Sequence, residues 1–86
     1  MKRDYPVTNE LWKHFKGDIY KIDGLAIHSE TGEPLVLYHV YESTDMSKIG
    51  IIYARPLELF MSLCDEKKYP QFINQYRFEK VGVDNS

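Results

Sequence analysis

Residues 19–41 read IYKIDGLAIHSETGEPLVLYHVY, and this stretch decides the fold. β-Branched and aromatic residues fill both of its ends, which favours strands over 19–28 and 35–41. Ser, Gly and Pro dominate the segment between them, as is typical of a turn. The pattern therefore predicts a β-hairpin, with a bulge or sharp bend where Asp23-Gly24 interrupts the alternation.

Outside the hairpin the pattern predicts three shorter strands, over 11–15, 51–55 and 76–81. Pro56 suits a first helical turn, and after it the apolar residues are spaced at i, i+3, i+4 and i+7. This spacing predicts a short helix that ends near Asp65, with an apolar face made of Leu57, Phe60, Met61 and Cys64. On that face Cys64 is interpreted as a buried structural residue.

These elements predict an all-β protein, a small and strongly bent SH3-like barrel of about five strands with one short helix before the last strand. Residues 11–81 would form the single domain. Residues 1–10 are interpreted as an N-terminal tail or edge segment, and 82–86 as a C-terminal tail.

Composition narrows the class of protein further. The chain has 86 residues, is 43% hydrophobic and carries a formal net charge of −2, which is typical of one folded domain. Its single cysteine excludes an internal disulfide framework and a cysteine-based zinc site. Neither a membrane-spanning run nor a signal peptide is recognisable, so we expect a cytoplasmic protein.

The charge is distributed unevenly. Residues 22–47 contain five acidic residues and no Lys or Arg, so the hairpin itself is acidic. Nucleic-acid binding usually requires a basic surface and is not favoured by this pattern. It remains an alternative if the fold assembles a basic patch from Lys13, Lys16, Lys21, Arg55 and Arg77.

The best candidate for ligand binding is Tyr53-Ala54-Arg55. On a strand, Tyr53 and Arg55 share one face, and an aromatic ring beside a guanidinium can stack a base or hold a carboxylate or phosphate. Alternatively, Arg55 pairs with Glu58 or Glu33 and is purely structural. The seven tyrosines favour a groove lined by Tyr38, Tyr53 and Arg55.

The turn supplies the second set of candidates: His28, Glu30, Thr31 and Glu33. These residues would form the rim of the groove. Alternatively, His28, Glu30 and Glu33 serve a small metal-dependent or acid–base enzyme, since imidazole and carboxylate groups ligate divalent metals. They lack a diagnostic metal-binding spacing, and no catalytic triad context or glycine-rich phosphate loop is present.

Several segments together resemble a known bacterial family, the domain of unknown function 1653. They are His14-Phe15-Lys16-Gly17, Tyr20, the run Ala26-x-His28-Ser29-Glu30-Thr31-x-Glu33-Pro34-Leu35-Val36-x-Tyr38, and Arg55-Pro56-Leu57-Glu58-x-Phe60. The resemblance extends from about Leu11 to Phe78. Tyr53 differs from the tryptophan frequent in that family, and the 42–50 and 65–75 segments are longer than usual.

The resemblance implies a small, stand-alone cytoplasmic domain with no assigned activity. It also implies that a shared surface would include His14, Tyr20, His28, Glu30, Thr31, Glu33, Tyr38, Arg55 and Phe60. Taken together, the sequence favours a non-enzymatic binding module for a peptide or small molecule. We expect no cofactor and no membrane association, and either a monomer or a weak homodimer formed through strand edges.

Overall fold

The computed structural model describes residues 3–82 and contains five strands and one short α-helix. In chain order these elements are β1 (Leu11–His14), β2 (Ile19–Ile27), β3 (Pro34–Glu42), β4 (Ile52–Pro56), α1 (Leu57–Phe60) and β5 (Phe78–Lys80). Two single-turn 3₁₀ helices lie at Met46–Lys48 and Pro70–Phe72. The predicted all-β class is confirmed, with the helix between the last two strands. Within the described residues, no helix has the length and apolar character needed to cross a membrane.

All five strands belong to one antiparallel sheet in the order β4-β3-β2-β1-β5. The β2–β3 hairpin is its centre, as the sequence predicts. The pairing shifts register between Ile22 and Gly24, which confirms the predicted irregularity at Asp23-Gly24. Gly24 has a φ of +154°, a value that favours glycine at this position.

The core lies on one face of the sheet and is mainly aromatic. Along β3, Val36, Tyr38 and Val40 are buried in alternation, as the period of two requires. Neighbouring strands and α1 complete the cluster with Trp12, Ile22, Phe60 and Phe78. The rings of Phe60 and Phe78 stack in parallel with centroids 4.0 Å apart, so α1 is packed directly on β5.

The predicted closure into an SH3-like barrel is not confirmed, because the described sheet is open, with β4 and β5 at its edges. The sheet is nevertheless strongly bent, since side chains bridge the two edges. The guanidinium carbon of Arg55 on β4 lies 5.2 Å from the ring centroid of Phe78 on β5. Side chains rather than a hydrogen-bonded ladder therefore connect the edges.

The helix is shorter than predicted. It ends at Phe60, and Leu63 instead forms an isolated bridge with Tyr76. Backbone hydrogen bonds explain the difference: the amide of Cys64 donates to the carbonyl of Gln75, and the amide of Arg77 donates to the carbonyl of Ser62. Cys64 is buried as predicted, but outside a helix.

The segment before β1 lies against the sheet. The amide of Asn9 donates to the carbonyl of Ile22, and the amide of Ile22 donates to the carbonyl of Glu10. Arg3 donates to the carbonyls of Phe78 and Met61, with its guanidinium carbon 3.5 Å from the ring centroid of Tyr76. Residues 3–10 are therefore tied to the domain, whereas most of the predicted 82–86 tail and the first two residues lie outside the described residues.

Candidate functional site

A cavity of about 450 Å³ spans the sheet from the edge strand β4 to the end of β1. This volume falls within the range of about 300–1,000 Å³ that is usual for small-molecule sites. Every strand except β5 contributes to its wall, as does the long connection from α1 to β5. The lining residues define what we call the aromatic–cation pocket: His14, Phe15, Lys16, Tyr20, Tyr38, Tyr53, Arg55, Asp65, Lys68, Tyr69 and Arg77.

Three tyrosines on adjacent strands form one wall of the pocket. The ring of Tyr20 packs edge-on against Tyr38 at 5.1 Å and against Tyr53 at 6.2 Å between centroids. Burial raises the pKa of Tyr20 to about 12 and also raises the pKa of Tyr38. Their hydroxyl groups are therefore protonated at neutral pH and can donate hydrogen bonds. Tyr53 is 40% exposed and lies at the mouth of the pocket.

Two guanidinium groups are each held through a single nitrogen. Nε of Arg55 donates to the hydroxyl of Tyr38 at 3.0 Å, and Nε of Arg77 donates to Oγ of Ser62 at 3.0 Å. Within the described residues, neither arginine forms an ion pair. The proposed pairing of Arg55 with Glu58 or Glu33 is therefore wrong. Both groups keep their terminal nitrogens available for a ligand.

Two lysines complete the positive charge. Nζ of Lys16 lies 4.9 Å from the ring centroid of Tyr69, and Nζ of Lys68 lies 5.6 Å from the same ring. Hydrogen bonding from Lys16 lowers the pKa of the Tyr69 phenol. The one carboxylate of the pocket, Asp65, accepts from the backbone amide of Lys67 and more weakly from that of Lys68. The pocket thus contains four cations and one carboxylate.

His14 also lines the pocket and is neutral at pH 7. Its Nδ1 accepts a hydrogen bond from the backbone amide of Lys16 at 3.1 Å, so protonation at Nδ1 would break this bond. Burial, and after it the nearby positive charge of Arg55, lower the pKa of His14 to about 4. The tight turn from His14 to Asp18 contains Gly17 at a φ of +119° and places Phe15 and Lys16 at the rim.

The low pKa of His14 predicts a loss of stability in acid. Because the folded-state pKa of about 4 lies below the ordinary value of 6.5, the unfolded chain takes up the proton first as the pH falls from 6.5 to 4. Since the ring is partly exposed, we expect a discounted contribution of about 1 kcal/mol between pH 7 and pH 5. Urea unfolding at both pH values, on the wild type and on His14→Asn, measures it. An equal loss in both proteins would contradict the assignment.

The structure places His28, Glu30, Thr31 and Glu33 apart from the aromatic–cation pocket, in the β2–β3 turn at the opposite end of the hairpin from Tyr20. Their polar groups bond within the turn. Nδ1 of His28 accepts from the amides of Glu30 and Thr31, and Oγ1 of Thr31 both donates to Glu33 and accepts from its amide. These contacts shape the hairpin turn.

The three histidines do not converge. His14 lines the pocket, His28 lies in the turn, and Nδ1 of His39 contacts the carboxylate of Asp23 at 2.9 Å. Among residues 3–82, no group of three or more His, Cys, Asp or Glu side chains is arranged to hold a metal ion.

Of the predicted groove residues, the structure brings Tyr38, Tyr53 and Arg55 together in the aromatic–cation pocket. Sequence reasoning had placed Lys16 and Arg77 only in a hypothetical basic patch, and it missed Phe15, Asp65, Lys68 and Tyr69 as site residues. The resemblance had already indicated His14 and Tyr20. No periodic pattern marks the segment that contains Lys68 and Tyr69, so only the folded chain reveals their position.

The fold and the pocket define a small all-β domain with an aromatic and cationic site on a bent sheet. Residues 10–80 match the family described as Protein of unknown function (DUF1653), and the chain belongs to this family. Its fold is similar to the crystal structure of a DUF1653 protein from Bordetella bronchiseptica, with 26% sequence identity and a TM-score of 0.65 over 93% of this chain and 94% of that chain. No curated protein matches the chain.

Proposed function

We propose that the domain is a non-enzymatic binding module whose aromatic–cation pocket holds an anionic ligand. The observation that carries this proposal is the charge of the pocket, where Lys16, Arg55, Lys68 and Arg77 line one cavity with a single carboxylate. Four cations lined up with one carboxylate leave an excess of positive charge in the pocket, and a bound anion would neutralise part of it.

The hydrogen bonds of the arginines support the same proposal. Tyr38 and Ser62 each accept from an Nε, which fixes the plane of the guanidinium of Arg55 and Arg77 before a ligand arrives. A planar pair of N–H groups is suited to two oxygens of a carboxylate or phosphate. Pre-orientation of this kind reduces the entropy lost on binding.

Neutral His14 makes the pocket responsive to its ligand. An anion bound near the imidazole would favour the imidazolium and raise the pKa of His14 from about 4. The binding of an anion whose own charge stays constant over this range, such as sulfate, should therefore strengthen as the pH falls towards that value, as long as the domain stays folded. The turn residues His28, Glu30 and Glu33 have no part in this proposal, because their contacts are local.

The neighbours Lys67 and Lys68 offer a matched test, because both are exposed but only Lys68 lines the pocket. We expect pyrophosphate to bind the wild type at low salt, with shifts of the pocket resonances in an NMR titration. Lys68→Glu should weaken this binding by roughly three- to tenfold, because it reverses a charge at the rim. Lys67→Glu changes the net charge equally and should have a much smaller effect. Equal weakening in both variants, or no binding to the wild type, would refute a specific anion site.

A further inference from the structure

We infer that the anion is the phosphate of a nucleotide whose base stacks on the ring of Tyr53. This inference rests on the proposed function and deepens it by naming the class of ligand. It follows from the combination of two arginines and two lysines with an exposed aromatic ring at the mouth of the same cavity.

The number of cations favours phosphate over a single carboxylate. A phosphate monoester carries a charge of about −1.5 to −2 at neutral pH and offers three strong acceptor oxygens. The terminal nitrogens of Arg55 and Arg77, both oriented through Nε, can bind two of these oxygens. Lys16 and Lys68 supply further positive charge, with their Nζ atoms 4.9 Å and 5.6 Å from the ring centroid of Tyr69.

The aromatic surface provides the place for the base. Tyr38 is only 2% exposed, whereas Tyr53 is 40% exposed on the edge strand β4. Tyr53 and Arg55 are separated by one residue on this strand, which corresponds to about 6–7 Å along it. Because both side chains lie on one face of β4, a ligand whose phosphate binds Arg55 can place its base on the ring of Tyr53. Stacking on a tyrosine ring tolerates any base, since every base has a π-face.

The acidic hairpin does not oppose this ligand. Glu30 and Glu33 lie in the turn at the other end of β2 and β3, and neither lines the pocket. The fold gathers Lys16, Arg55 and Arg77 around one cavity, although these residues are far apart in the sequence. The local charge is thus opposite in sign to the net charge of −2 for the whole chain.

Calorimetric titration with two matched ligands tests the inference. Adenosine 5′-monophosphate carries both phosphate and base, whereas ribose 5-phosphate carries the phosphate without the base. We expect the nucleotide to bind the wild type at least about fivefold more tightly, which corresponds to the lower range of base–tyrosine stacking. In Tyr53→Leu the ratio of the two dissociation constants should fall to near one, and in Tyr53→Phe it should be retained.

The outcomes separate this inference from the proposed function. If the two ligands bind equally well to the wild type, the pocket is an anion site and the assignment to nucleotides is wrong. If neither they nor pyrophosphate bind, both proposals fail. A short 5′-phosphorylated single-stranded oligonucleotide identifies the source of the ligand: tighter binding than the mononucleotide indicates a unit of a nucleic acid, and equal or weaker binding indicates a free nucleotide.

Discussion

Replacing Phe78 with alanine is expected to cost about 3–5 kcal/mol of folding free energy, the range typical of a buried phenylalanine. Phe78 is 1% exposed and stacks on Phe60 at 4.0 Å. Its ring also contacts the edge of Tyr38, at 5.6 Å between centroids, and carries the guanidinium of Arg55. One substitution therefore removes the contacts that join β5 to α1, β3 and β4 together.

The size of the domain makes this loss severe. Small domains are stable by roughly 5–15 kcal/mol, and a chain of this length belongs near the lower end of that range. We therefore expect Phe78→Ala to be largely unfolded at physiological temperature. Trp12, the sole tryptophan, is buried beside Phe60 at 5.4 Å and reports unfolding through its fluorescence.

Phe72→Ala is the matched control for this prediction. Phe72 is half-buried and packs against Phe15 at 5.0 Å, away from the contacts between the sheet edges. Its removal should cost clearly less than that of Phe78 in the same urea titration. A cost of under about 1 kcal/mol for Phe78→Ala would mean that the edges of the sheet do not depend on this ring.

The sequence predicts the central hairpin well because β3 buries one face and exposes the other more. Alternation along β3 places Val36, Tyr38 and Val40 in the core, and the turn chemistry of 28–34 fixes the hairpin. The length of α1 is predicted poorly, since apolar spacing continues to Cys64 while the backbone of 62–64 pairs with 75–77. This pairing joins segments that are distant in sequence, and no local pattern encodes it.

One part of the pocket is predictable because its residues share a strand. Tyr53 and Arg55 are two residues apart on β4, so the period of two places them on one face. Their partners Lys68 and Tyr69 come from the irregular connection between α1 and β5, where no periodic pattern indicates which side chains face the pocket. The sequence also fails to predict that the sheet stays open. Rules for strand pairing indicate which strands are neighbours more readily than whether the sheet closes into a barrel.

Arg55→Lys is expected to weaken pyrophosphate binding by about 10- to 100-fold, although the charge is unchanged. Lysine cannot present two parallel N–H groups to the ligand, and its single ammonium group cannot also replace the hydrogen bond that Nε of Arg55 donates to the hydroxyl of Tyr38. The loss corresponds to about 1.4–2.7 kcal/mol, in the range of one charge-assisted hydrogen bond. Lys68→Arg, which also keeps the charge, serves as the control and should bind pyrophosphate at least as well as the wild type.

Tyr38→Phe separates the orientation of Arg55 from its charge. This variant keeps the buried ring and the guanidinium but removes the acceptor for Nε. If Tyr38 acts by orienting Arg55, Tyr38→Phe should weaken binding in the wild-type background and have little further effect in Arg55→Lys. Such non-additivity is the signature of two residues that act through one contact. Purely additive losses would show instead that Arg55 binds the anion without help from Tyr38. Wild-type affinity in Arg55→Lys would mean that the guanidinium does not contribute to anion binding.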